Sequence, residues 1–155
     1  MKKTQQVAIT AIIAALYFVL TTGLAPLSFG AVQVRVAEAL KVLVVVFPLP
    51  AFAGLMIGMG FANAFSPLGV IDMLSLGFAA ASLIPMYLLR EKGDKAVLLG
   101  AVIYCAGITS WVALALYITF GALYGITWGT VMIGQLIAVV GLGFPLYKGM
   151  KRAFP

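Results

Sequence analysis

The chain has 155 residues, 64% hydrophobic and 9% charged, with ten bases against four acids and no histidine. Soluble domains carry about 25% charged residues, so this composition and a mean hydropathy of +1.16 exclude an ordinary soluble fold. A single cysteine, Cys105, excludes an internal disulfide and a thiolate metal cage. Without histidine, zinc and general-base chemistries lose their usual parts, and no enzyme activity is expected. No Gly-x-x-x-x-Gly-Lys-Ser/Thr loop is present, so the chain has no nucleotide cradle of its own. The net charge of +6 is spread over helix ends rather than along one stripe, which makes it a topology signal and not a nucleic-acid footprint.

Taken in chain order, Met1-Lys2-Lys3 precedes a first apolar span predicted at 7–24. Alone it also fits a secretory leader, but the rest of the chain is equally apolar and this run is long enough to cross a bilayer. The loop Ala25-Pro26-Leu27-Ser28-Phe29-Gly30 leads to a short second helix at 34–47, which ends where Pro48 and Pro50 break it. A third helix is predicted at 51–65, a turn at Ser66-Pro67-Leu68-Gly69, and a fourth helix at 70–89 that stops at the charged run from Arg90 to Lys95. A fifth at 96–120 and a sixth at 126–147 are separated by the turn Gly121 to Gly125. The predicted fold is an all-α integral membrane protein, a single compact six-transmembrane-helix bundle.

Eight of the ten bases (Lys2, Lys3, Arg90, Lys92, Lys95, Lys148, Lys151 and Arg152) fall on one side of the membrane if there are six crossings. Basic residues mark the cytoplasmic side, so both termini are expected inside.

Four charges remain in or beside the membrane: Arg35, Glu38, Lys41 and Asp72. A charge at the bilayer centre costs roughly 2.5–3.5 kcal/mol on insertion scales, so such groups face the protein interior or water. Arg35, Glu38 and Lys41 are spaced by three along one helix face. They form either an ion-pair ladder that lets a short helix insert or part of a polar pocket. Asp72, in the first turn of the fourth helix, is favourable there as a carboxylate at a positive helix end, yet it lies at the same outer level as Gln33, Arg35 and Glu38. Asn63 ends the third helix at that level too, as a cap or a contact. Gln135, midway along the sixth helix, reads as interhelical glue or a ligand contact. Trp111, Tyr117, Tyr124 and Trp128 fit an interfacial aromatic belt or a stacking wall. Small-x-x-x-small pairs occur at Ala11/Ala15, Gly54/Gly58 and Gly125/Gly129, each a place where helix backbones approach closely; the first is either internal packing or an external docking face.

The run from Phe29 to Leu40, Phe-Gly-Ala-Val-Gln-Val-Arg-Val-Ala-Glu-Ala-Leu, is more specific than these pairs. It resembles the signature of the QueT family, the substrate-binding S components of energy-coupling factor (ECF) transporters for queuosine precursors. Gly58 to Asn63, Ser66-Pro67-Leu68-Gly69 and Asp72 fall where that family has its Gly-rich, Asn and Gly-x-x-Asp elements, and the similarity covers essentially the whole chain. Ala11 and Ala15 look like the Ala-x-x-x-Ala motif by which S components pack on the transmembrane coupling subunit. Lys41 departs from the pattern, standing where the family favours a small polar residue.

The resemblance implies a vitamin-like uptake system in the bacterial plasma membrane, without a resident cofactor. The S component captures its substrate from outside, and an EcfT-type coupling subunit with two EcfA-type ATPases drives release inside. The implied ligand is a 7-deazaguanine such as preQ1, preQ0 or queuine, a flat ring whose guanine edge places two donors beside one acceptor. Glu38 or Asp72 can accept from both donors, and charge-assisted bonds of this kind are the stronger class. Gln33, Arg35 or Asn63 can donate to O6, and Trp111, Tyr117 or Trp128 can cover the ring. A cationic arm on the ligand would favour the second carboxylate. The loop 25–34 is the natural lid. The rival reading is a self-sufficient secondary carrier or channel acting as a homo-oligomer, for which an internal repeat is the expected sign; residues 1–75 and 76–155 show no convincing similarity.

Overall fold

The protein is described by a computed structural model covering residues 1–28 and 34–154. Secondary structure among these residues is entirely helical. Helix α1 spans Lys3–Gly23 and a single turn, α2, spans Ala25–Ser28. A 3₁₀ helix follows at Val36–Val45, then α3 at Pro48–Asn63, α4 at Val70–Leu88 and α5 at Asp94–Phe120. The last 30 residues of helix run from Tyr124 to Ala153. They comprise α6 (Tyr124–Gln135), a π-helical stretch (Leu136–Gly143) and α7 (Phe144–Ala153).

Four of these helices are long and apolar enough to cross a membrane: α1, α4, α5 and the continuous run from Tyr124. The expected second and third spans are shorter. At about 2.0 Å per residue a ten-residue 3₁₀ helix rises about 20 Å, and sixteen α-helical residues rise about 24 Å, against a hydrocarbon core of about 30 Å. The prolines that end the second helix also start the third: Pro48 occupies the first position of α3, where a missing N–H leaves nothing unpaired. That is why α3 begins three residues before the expected Ala51. The final helix extends past the expected 147, and Tyr147 and Lys151 both donate to Asp94 Oδ1 at 2.9 Å, fastening it to the first turn of α5.

The centre of the molecule is the 3₁₀ helix. Every residue from Ala37 to Val44 is buried, enclosed by α1, α3, α4, α7 and the π stretch. Large apolar side chains such as Val7, Ile12, Leu16 and Val19 of α1 point outward instead. In lipid, burying them gains nothing, so helix association rests on close van der Waals fit at small residues. Gly54 and Gly58 supply it for α1 against α3: a Cβ added at Gly58 would lie 2.5 Å from the Ala14 carbonyl oxygen, and one at Gly54 would lie 2.6 Å from that of Thr10. Gly143, at the end of the π stretch, lets that segment touch the 3₁₀ helix, since a Cβ there would stand 2.9 Å from the Ala39 carbonyl oxygen. The third predicted pair behaves differently. Gly125 and Gly129 have open space where a Cβ would go and take no part in internal packing.

This contrast makes a test. Gly58→Ala is expected to destabilise the protein by about 1–3 kcal/mol, because backbone and not a flexible side chain must move. Gly125→Ala should leave the thermal midpoint unchanged or raise it by removing unfolded-chain entropy. Thermal unfolding in detergent reads both, and equal midpoints for the two variants contradict the packing described.

Candidate functional site

A 3₁₀ helix has three residues per turn, so side chains three apart eclipse one another. Arg35, its N-cap, and Glu38 and Lys41 within it therefore form one column on one face. All three are buried, at 4%, 1% and 0% exposure, and each is tied to other elements.

The middle row is the most connected. The Glu38 carboxylate accepts one short hydrogen bond from the Tyr17 hydroxyl of α1 at Oε1 and another from the Tyr104 hydroxyl of α5 at Oε2. One turn along, the Lys41 amine lies 5.0 Å from the ring centroid of Tyr17 and 5.8 Å from that of Tyr104. It donates to the Met59 sulfur at 3.5 Å. The two charges are therefore coupled through two aromatic rings. The cation sits against their electron-rich faces, which attract it, while their hydroxyls donate to the anion.

At the outer row, Arg35 Nη2 lies 3.1 Å from Asp72 Oδ2, and Arg35 Nε donates to the Ser28 carbonyl oxygen at 3.3 Å. Asp72 reaches this position because the loop before α4 ends at Gly69, whose φ of 59° is a left-handed conformation that glycine adopts freely. Asn63 Nδ2, at the end of α3, donates to the Asp72 carbonyl oxygen at 2.8 Å and to Ser75 Oγ at 2.9 Å. The four buried charges, two positive and two negative, sum to zero.

Three side-chain atoms in this region are buried with no hydrogen-bond partner among the described residues: Thr21 Oγ1, Ser28 Oγ and Asn63 Oδ1. Thr21 stands one turn beyond Tyr17 on the same face of α1. Ser28 carries the carbonyl that holds Arg35, and Asn63 holds Asp72. An unpaired buried polar group costs about 1–3 kcal/mol, so each of the three is costly to keep.

Of the residues singled out from the sequence, Arg35, Glu38, Asp72 and Asn63 thus come together around one buried network. Gln33 lies outside the described residues. Trp111, Tyr117 and Trp128 make no hydrogen bond to it among the described residues. Trp111 stacks on Phe78 at 4.1 Å between centroids, Trp128 Nε1 donates to Ser110 Oγ at 3.1 Å, and Tyr117 is 54% exposed. Phe78, Ser110, Trp111 and Tyr124 border a separate groove of about 350 Å³ that no charged residue lines. Gln135 is buried with its Oε1 unpaired. Ala11 and Ala15 are both exposed on α1, so their small faces are not used inside the bundle.

Sequence reasoning missed Tyr17, Tyr104, Thr21 and Ser28. A signal was available for the tyrosines. Membrane tyrosines favour the interfacial ends of spans, whereas these two sit near the middle of α1 and α5, where a hydroxyl must find an internal acceptor.

No curated protein and no solved structure matches the chain. A family model matches residues 7 to 152, taking in most of α1, the ionic column and Asp72. The match covers nearly the whole of this helical bundle, and the chain belongs to the QueT transporter family.

Proposed function

We propose that this membrane transport component is the substrate-capturing subunit of an ATP-driven importer of the energy-coupling factor type. On this reading it lies in the bacterial plasma membrane with six crossings and both termini cytoplasmic, and its ligand is a 7-deazaguanine precursor of queuosine. The observation that carries the reading is the state of Glu38. A carboxylate offers about four lone-pair sites on its two oxygens. Tyr17 and Tyr104 occupy one site on each oxygen, and each oxygen keeps a further lone pair for a ligand donor. The guanine edge presents two adjacent donors, its N1–H and its exocyclic amine, which a carboxylate can accept. Arg35 and Asn63, one row further out, carry the N–H groups suited to O6. Tyr17 and Tyr104, whose hydroxyls already bond Glu38, are the aromatic residues placed to serve the faces of the ring.

The chain contains no phosphate-binding loop, so ATP-driven work requires partners. Ala11 and Ala15 suit such an interface. They are exposed on α1, and Ala15 borders a shallow apolar groove with Ala14, Phe18, Ile57 and Phe61. A helix of the coupling subunit can approach closely there.

Two measurements test the reading. Glu38→Gln replaces an acceptor oxygen with a donor and should weaken binding of a 7-deazaguanine at least tenfold by calorimetric titration of the purified protein; unchanged affinity removes Glu38 from the site. Ala11→Leu together with Ala15→Leu should abolish co-purification with the coupling subunit and ATPases while leaving ligand affinity intact, and an assembly that survives both substitutions places the docking surface elsewhere.

A further inference from the structure

We infer that Thr21, Ser28 and Asn63 complete the ligand site as an uncharged hydrogen-bonding rim, and that the site admits an uncharged heterocycle in preference to one bearing an ammonium group. The inference rests on the proposed 7-deazaguanine reading and narrows it to a charge class.

Two independent observations carry it. The first is the state of the buried charges. Asp72 is the carboxylate available to a cationic arm, and it is already held by Arg35 at 3.1 Å with both side chains almost fully buried. Glu38 is opposed by Lys41 through the rings of Tyr17 and Tyr104. With Arg35, Glu38, Lys41 and Asp72 in balance, an entering ammonium would be an uncompensated charge in a low-dielectric interior, and such charges are strongly disfavoured. A neutral ligand leaves the balance undisturbed.

The second observation is the chemistry of what is left unpaired. Thr21 Oγ1, Ser28 Oγ and Asn63 Oδ1 are two hydroxyl oxygens and one amide oxygen. Thr21 and Ser28 are 0% exposed, as is Asn63, so bulk water does not serve them. Thr21 follows Tyr17 by one turn of α1, the Ser28 carbonyl oxygen accepts from Arg35 Nε, and Asn63 Nδ2 donates to the Asp72 carbonyl oxygen. Hydroxyls both donate and accept, while an amide oxygen accepts. Neutral polar substituents on a heterocycle satisfy such a set, and satisfying it supplies binding free energy that the ligand-free protein forgoes.

The test uses purified full-length protein and two 7-deazaguanines that differ at C7, one with a neutral nitrile and one with an aminomethyl group. Titration calorimetry should show the nitrile compound binding at least tenfold more tightly. Equal or tighter binding of the aminomethyl compound overturns the charge selection while leaving the proposed function standing. Binding of neither overturns both. Lys41→Met makes the network more negative by one charge. It should reduce the preference for the nitrile compound at least tenfold, and an unchanged ratio overturns the electrostatic argument.

For the rim, Thr21→Val and Ser28→Ala delete unpaired hydroxyls with little change of volume. Each should weaken nitrile-compound binding at least threefold while the ligand-free thermal midpoint stays level or rises, since a polar group without a partner is being removed. Unchanged affinity in both variants means that these hydroxyls do not meet the ligand.

Discussion

Burying Glu38 and Lys41 three residues apart on a completely enclosed 3₁₀ helix is the constraint from which the rest of this structure follows. Neither charge has water within reach, and each would be prohibitive alone. Tyr17 and Tyr104 resolve both problems with the same two rings, donating hydroxyls to the anion and offering faces to the cation. Because these tyrosines belong to α1 and α5, the arrangement holds only while both helices stand against the 3₁₀ segment. Polar satisfaction and helix packing are therefore one requirement.

The winding of the central segment belongs to the same requirement. Long 3₁₀ helices are uncommon because their hydrogen bonds are less well aligned than those of an α-helix. Here eight residues of a ten-residue example are buried, and tertiary contacts hold it. In an α-helix, residues three apart are rotated by about 300°, so the column would fan out by about 60° per step. Arg35 would then turn from Asp72, or Glu38 from the tyrosines. The π stretch opposite, brought into contact through Gly143, is the loosely wound neighbour of a tightly wound helix. Unusual helical geometry of this kind is frequent at functional sites.

Packing and function divide the molecule between them. Toward lipid the surface is apolar and close fit depends on Gly54 and Gly58, because the bilayer supplies no hydrophobic drive for association. Toward the interior, charge, hydroxyl and amide groups gather around the 3₁₀ helix. The apolar groove beside Trp111 and Trp128 belongs to the former surface.

Composition alone determined the solvent, and hence the helical class, since only helices and closed barrels satisfy their backbone in lipid. The rarity of charge picked out Arg35, Glu38, Lys41 and Asp72, because each residue of that kind must be compensated wherever it lies. The spacing by three was visible, but not that the segment would wind as a 3₁₀ helix, as tertiary burial decides that. Pro48 was legible as a boundary but not as the first residue of α3. Trp111, Tyr117 and Trp128 were plausible stacking partners by residue type; which neighbours they have, Phe78 for Trp111 and Ser110 for Trp128, was decided by the packing of their helices. Only the tertiary structure selected Tyr17 and Tyr104 as the partners of Glu38, across 21 and 66 residues of chain. It likewise left Thr21 Oγ1, Ser28 Oγ and Asn63 Oδ1 without a partner among the described residues. A sequence records which groups must be satisfied; which neighbours satisfy them depends on how separate helices are brought side by side.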